Sequence, residues 1–201
     1  AQSVRGRGVE RTGGAPTACV QGRPRNAGRA LLKRAQDIVV GAALAALFAA
    51  PMLVIAVAVR LDSKGPALYR QRRHGFNNRV ITVLKFRTLR HDPGAPLQRL
   101  TADDPRITRM GRLLRRTGLD GLPMLFNVLR GEMSLVGPRP HAIGMTAAER
   151  ALDDIVTEYA HRHRVKPGMT GWAQVNGAHG ALATPACVRK RVRLDLEYVA
   201  R

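Results

Sequence analysis

Charged residues vanish from the chain between Ile38 and Val59, and this 22-residue apolar run dominates its polarity pattern. A straight helix of that length crosses a hydrocarbon core of about 30 Å. Pro51 lies past the middle of the run, where proline removes a backbone donor and bends or breaks a helix. Both flanks are basic, with Arg29, Lys33 and Arg34 before it and Arg60, Lys64, Arg70, Arg72 and Arg73 after it. Positive charge stays on the cytoplasmic side of a membrane, so a segment basic at both ends favours returning to the side it entered. The pattern predicts a kinked, re-entrant membrane hairpin. A buried core helix and a straight span are the alternatives.

A period of two follows. Residues 67–72 and 79–88 read as strands, and His74, Gly75, Phe76, Asn77 and Asn78 supply the turn between them. Alternation puts Lys85 and Arg87 on one face of the second strand. Residues 91–96, broken by proline and glycine, form a loop. Helical spacing returns over 107–116, where Ile107, Met110, Leu113 and Leu114 make an apolar stripe among Arg106, Arg109, Arg112, Arg115 and Arg116. Such a helix suits a headgroup region; otherwise it packs on the core with a solvated arginine face. Residues 122–129 form a helix with Pro123 in its first turn, Asp120 at or near the N-cap, and Gly131 at its end. A stiff loop over 136–140 carries Arg139. A longer helix is predicted over 146–163, a turn-rich connector over 166–172, and a last helix capped at Thr184 and Pro185. These elements make an α+β, mostly helical fold: a re-entrant hairpin, a short β-hairpin and amphipathic interfacial helices around one domain.

Charge narrows the partners. With 34 Lys and Arg against 14 Asp and Glu, the chain carries +20, which demands nucleic acid, an anionic membrane or phosphorylated substrates. Aromatics are only 4%, too few for a binder that stacks bases on rings, and no zinc-finger or RNA-recognition spacing occurs, so nucleic acid is disfavoured. Cys19 and Cys187 lie far apart and outside any metal-like cluster, which fits free thiols in a reducing compartment. Residues 1–30 are basic without an apolar core, so they read as a flexible arm and not as a signal peptide.

The chain has no Walker loop, no His-Glu-x-x-His, no Gly-x-Ser-x-Gly and no dinucleotide glycine fingerprint. Its strongest constellation is Asp120 between Thr117 and Pro123. A carboxylate before a helix is stabilised as an anion, and that position also suits a substrate phosphate. Lys85, Arg87, Arg115 and Arg139 are the cations available to neutralise phosphoryl oxygens there. Aspartate is a competent nucleophile towards phosphorus, forming an acyl phosphate that divides one transfer into two steps. The alternative is a plain N-cap.

Several motifs in order carry a resemblance. Lys85-Phe86-Arg87-Thr88, Asp103-Asp104-Pro105-Arg106, and the stretch from Leu119 through Asp120, Leu122, Pro123 and Phe126 to Leu129 resemble the bacterial sugar transferase family, the polyprenyl-phosphate hexose-1-phosphate transferases. Glu132 to Pro140 and Lys166 to Gly177 continue the match, which runs from about Leu31 to Tyr198. The resemblance implies a membrane helix broken at Pro51, although Ala50 stands where the family often has serine. It implies an enzyme on the cytoplasmic face of the inner membrane, with residues 31–66 as the hairpin and 67–201 as the transferase domain. That enzyme moves a sugar-1-phosphate from a UDP-sugar, UDP-glucose or UDP-galactose, to undecaprenyl phosphate with Mg²⁺ assisting, and so starts a surface glycan such as an exopolysaccharide. Asp120 matches the family's nucleophile and is the expected metal ligand. Lys85, Arg87, Arg115 and Arg139 match its phosphate-holding cations, while Asp195 and Glu132 are acidic support. A homo-oligomer is compatible with all of this. The resemblance also implies a Trp-rich helical tail, and the sequence stops at Arg201, short of it. One departure bears on activity: the family pattern has Asp-Glu where this chain has Asp120-Gly121. The alternative function is therefore a catalytically impaired membrane-bound relative that acts as a binding or scaffold protein.

Overall fold

A computed structural model describes residues 27–90 and 104–200, apart from 179, 181 and 183. Most of the arm and the 91–96 loop lie outside the described residues. Residues 27–30, placed in the arm by composition, form the first turn of α1.

The apolar run folds as two helices, α1 (Ala27–Leu47) and α2 (Ala49–Asp62), bent by 59° at Phe48. The bend falls three residues before Pro51 because proline has no N–H for the Leu47 carbonyl and crowds the turn before it. Among the described residues no single helix is long and apolar enough to cross a membrane, whereas this bent pair together meets the test of length and composition. One face of α2 is buried: Met52, Ile55 and Val59 pack with Phe86 and Leu114. The opposite face leaves Leu53, Val54 and Leu61 at 67%, 67% and 83% exposure, and Val39 and Leu47 of α1 are each 69% exposed.

The β-hairpin forms as expected. Strands β1 (Leu68–His74) and β2 (Val80–Phe86) pair antiparallel, with Tyr69 opposite Lys85 and Arg73 opposite Ile81. Asn77 and Asn78 take the left-handed conformation in the turn, which asparagine tolerates better than most residues. Strand β2 is sandwiched. Val83 packs with Met124 and Val128 on one side, and Phe86 meets α2 on the other. Burying each of these side chains contributes about 1.5–3 kcal/mol.

Helix α3 (Arg109–Thr117) is capped by Thr108, whose hydroxyl accepts from the Gly111 N–H at 2.9 Å. Its apolar stripe packs on the core: Ile107 and Leu114 are buried and Leu113 alone is half exposed, so the arginines form a solvated face. Gly118, in the left-handed conformation, ends α3 and turns the chain into a 3₁₀ turn, Leu119–Gly121, before α4 (Met124–Arg130).

Beyond α4, β3 (Ser134–Val136) pairs in parallel with β6 (Gly168–Thr170). The backbones approach so closely that a Cβ on Gly168 would lie 2.1 Å from the Gly137 nitrogen. The long helix expected over 146–163 does not form. Ala148 and Glu149 both adopt positive φ and close a small hairpin of β4 (Thr146–Ala147) and β5 (Arg150–Ala151). One helical turn, α5 (Leu152–Ile155), leads into 3₁₀ structure over Thr157–Arg164. Tyr159, Arg162 and His163 all turn inward there, a demand that the mixed charge of the segment conceals. The short α6 (Trp172–Val175) precedes α7 (Pro185–Ala200), where the Thr184 hydroxyl accepts from the Cys187 N–H at 3.3 Å.

Candidate active site

Asp120 caps no helix. It lies in the 3₁₀ turn ahead of α4, and no side chain caps α4, which starts only at Met124. The dipole argument for a phosphate at this helix end therefore fails, because the helix is short and begins too late. Instead, the Asp120 carboxylate accepts from the Lys85 ammonium at 2.8 Å through Oδ2. Both side chains are 19% exposed, so a nearly buried ion pair opens to solvent on one side. Its Oδ1 accepts from no group among the described residues.

Asn127 fixes this geometry. Fully buried in α4, its side-chain oxygen accepts from the Leu84 N–H at 3.0 Å, and its nitrogen donates to the Thr82 carbonyl at 2.7 Å. That staple registers α4 against β2 and so places Lys85 beside Asp120. The same Asn127 nitrogen donates to Glu132 at 2.5 Å, so Glu132 supports the staple. Burial pulls the Lys85 ammonium below its usual range, Asp120 pulls it back up, and Arg139 and Arg73 lower it further. Those two arginines thus lie within electrostatic reach of the pair.

Arg73 lies outside the motifs that carry the resemblance, although period-two alternation places it on the same hairpin face as Lys85. It donates to Gln71 and to the Pro140 carbonyl, and burial with the neighbouring Arg139 charge lowers its pKa to about 10. Arg139 is half-buried, and its guanidinium donates to no group among the described residues.

Arg87 is engaged at the end of α2. Its guanidinium turns away from Asp120 and donates to the carbonyls of Val59, Ser63 and Lys64 at the exit of α2. A strand face predicts which side a residue takes, but β2 ends at Phe86 and the α2 carbonyls claim the donors. Arg115 is exposed, and its Nε donates to the Thr88 hydroxyl at 2.9 Å.

Asp195 lies 1% exposed, in a buried ion pair with Arg162 at 2.6 Å. His141 contacts Tyr159 at 2.6 Å and Arg162 at 2.7 Å in the same network. His163 is buried beside it, stacked on His74 and edge-on to Tyr159. Neither of its ring nitrogens has a partner among the described residues, and burial, with Arg162 and His74 nearby, lowers its pKa from 6.5 to about 3. Between these two values the unfolded state binds more protons, so stability falls as the pH drops from about 6.5 towards 3. The slope approaches about 1.4 kcal/mol per pH unit for each such histidine. His163→Phe keeps the ring contacts and loses no hydrogen bond. Thermal melts between pH 7.5 and 4.5 are expected to show a shallower acid slope for the variant; equal slopes would sink the assignment.

The described residues offer a metal little. They hold no group of three His, Cys, Asp or Glu side chains able to bind an ion. Asp120 is one carboxylate, which meets the minimum for Mg²⁺ held mainly by substrate phosphates and water. Gly121 adds no ligand. It is buried, and a Cβ there would meet the Met124 methyl at 2.8 Å.

The profile of the bacterial sugar transferases matches residues 28–201, nearly all of the chain. The chain belongs to the bacterial sugar transferase family. It is 47% identical over 193 residues to an undecaprenyl-phosphate glucose phosphotransferase of Komagataeibacter xylinus, covering 95% of this chain and 36% of that protein. It is 43% identical over 192 residues to the UDP-glucose:undecaprenyl-phosphate glucose-1-phosphate transferase of Escherichia coli K12, covering 95% of this chain and 41% of the relative. The exopolysaccharide production protein PSS of Rhizobium leguminosarum bv. phaseoli is 46% identical over 171 residues, 84% of this chain and 86% of that protein. The chain thus spans about two fifths of the first two relatives and most of the third.

Proposed function

We propose that this chain transfers a hexose-1-phosphate from a UDP-sugar to undecaprenyl phosphate through an aspartyl-phosphosugar intermediate, starting an exopolysaccharide or similar surface glycan. The observation that carries the reading is the Asp120–Lys85 pair, 2.8 Å apart and open on one side, with Arg139 and Arg73 in electrostatic reach. An Asp120 oxygen attacks the phosphorus that bears the sugar, and the bond to the bridging oxygen breaks as UMP leaves with the electron pair. An oxygen of the lipid phosphate then attacks the same phosphorus. The bond to Asp120 breaks, restoring the carboxylate and leaving a polyprenyl diphosphate sugar. Lys85 aims the carboxylate, while Arg139 and Arg73 neutralise phosphoryl charge, the kind of preset electrostatics that dominates such transfers. Asp120 would be the protein ligand of Mg²⁺, which would supply charge neutralisation on the substrate phosphates. The names of the relatives favour UDP-glucose as donor over UDP-galactose.

The bent pair α1–α2 is the membrane element, a re-entrant hairpin in the cytoplasmic leaflet of an anionic inner membrane. Its support is the exposed apolar face of Leu53, Val54 and Leu61, flanked by Lys33, Arg60 and Lys64. In a background with Cys19 and Cys187 changed to serine, cysteines at Arg29 and Lys64, on the polar flanks of the hairpin, are expected to react with an impermeant thiol reagent from one side of sealed vesicles only. Labelling from opposite sides means a straight span.

Gly121 favours a second reading, an impaired relative that binds without turnover, because it places no second carboxylate beside Asp120. A UMP-release assay on membranes across a panel of UDP-sugars, with undecaprenyl phosphate and Mg²⁺, separates the two. UMP release that requires the lipid carrier supports the enzyme; donor binding with no release supports the second reading.

A further inference from the structure

Four consecutive carbonyls around Arg139 are each tied to a different part of the fold. Pro138 accepts from the Gly168 N–H at 3.0 Å, and His141 accepts from the His74 N–H at 3.1 Å. Pro140 accepts from the Arg73 guanidinium. Arg139 itself accepts from Arg162 Nη2 at 2.7 Å. That same Nη2 and the adjacent Nε of Arg162 both reach Asp195 Oδ2, at 2.6 and 3.0 Å. Arg162 is 1% exposed and among the largest fully buried side chains, so its fork has one orientation. One arm is spent on α7, through Asp195, and shared with the backbone of the loop. The outcome is a residue whose backbone is held rigidly and whose own guanidinium donates to no group among the described residues.

A buried ion pair is poor evidence of stabilisation, because desolvating two charges offsets most of their attraction. Two apolar residues would join α7 to the 3₁₀ segment as well as this pair does. They would not present a donor to the Arg139 carbonyl.

We infer that the Asp195–Arg162 pair is a positioning unit: it sets the loop of Arg139 so that this guanidinium meets the donor's diphosphate. The inference rests on the reading of Arg139 as a donor-phosphate ligand and gives the pair its part in that reaction. Asp195 and Arg162 touch no reactant; they act through the Arg139 backbone. Preset placement matters here, since a displacement of about 1 Å can lower a rate by about a hundredfold.

The variant Arg162→Lys keeps a positive charge opposite Asp195 but loses the planar fork that serves two acceptors at once. In detergent-solubilised full-length chain, the amides of His74 and Gly168, which donate into the loop, are expected to exchange faster than in the native protein. The Leu84 amide, held by Asn127 on the other side of the site, keeps its rate. UDP-glucose affinity, measured calorimetrically without lipid carrier, is expected to fall about tenfold or more. In an Arg139→Ala background the same substitution changes affinity by less than about twofold, since the two act as one unit. If Arg162→Lys does not fold, the isosteric Asp195→Asn takes its place with the same expectations. Native exchange at His74 and Gly168, or losses that add to those of Arg139→Ala, overturn the inference while leaving the proposed reaction standing. A native chain that binds no UDP-sugar overturns both.

Discussion

Asp120→Asn abolishes the covalent phosphosugar adduct and lowers UMP release by at least about a thousandfold, the scale expected when a nucleophile is removed. An amide presents no anionic oxygen to phosphorus, and it leaves the Lys85 ammonium without its counter-charge. The fold is expected to survive, because the Asp120–Lys85 pair opens to solvent, caps no helix and is not part of the Asn127 staple. Intact-protein mass spectrometry after mixing with UDP-glucose, in the absence of lipid phosphate, reads the adduct directly. Persistence of the adduct in the asparagine variant would move the nucleophile to another residue. Loss of the adduct with normal UMP release would mean direct transfer to the lipid without an enzyme-bound intermediate.

Arg87→Met is expected to destabilise the protein by roughly 3 kcal/mol or more, because hydrogen bonds from a charged donor contribute about 1.5–3 kcal/mol each and three carbonyls lose theirs, that of Val59 in a buried place. For a chain of this size that is a fall of about 6–12 °C in Tm. The carbonyls of Val59, Ser63 and Lys64 close the exit of α2, while the Met110 N–H donates to Asp62 one turn away at 3.0 Å. The bent helix pair, β2 and α3 are thus joined at one corner, and β2 carries Lys85. A phosphate ligand behaves differently, since its loss raises the donor KM and leaves the melting temperature close to native. Thermal melts and donor KM on the same preparations decide between the two. A large rise in KM at unchanged Tm would return Arg87 to the substrate.

Local structure follows directly from sequence where one element carries its own signal. Pro51 in an apolar run dictates a break whatever surrounds it, since a missing N–H is a local fact. Alternation from Val80 to Phe86 identifies a strand because the period belongs to the backbone. The segment over 146–163 misled for the converse reason. Its helix-like composition yields to the inward demand of Tyr159, Arg162 and His163, of which Arg162 pairs with Asp195 more than thirty residues away. Arg73 shows a signal that was present and unused, since its parity matches that of Lys85.

What the sequence alone determined is therefore local and chemical: a bent apolar segment, a hairpin, a basic chain, and the motif series of the sugar transferases around Asp120. Only the tertiary structure decided which partner each charged group takes. It paired Asp120 with Lys85, turned Arg87 onto the end of α2, and sealed Asp195 against Arg162. Periodicity assigns a side chain to a face; the neighbour that waits on that face is set by how separate elements pack, and a guanidinium goes to whichever acceptors burial leaves without water.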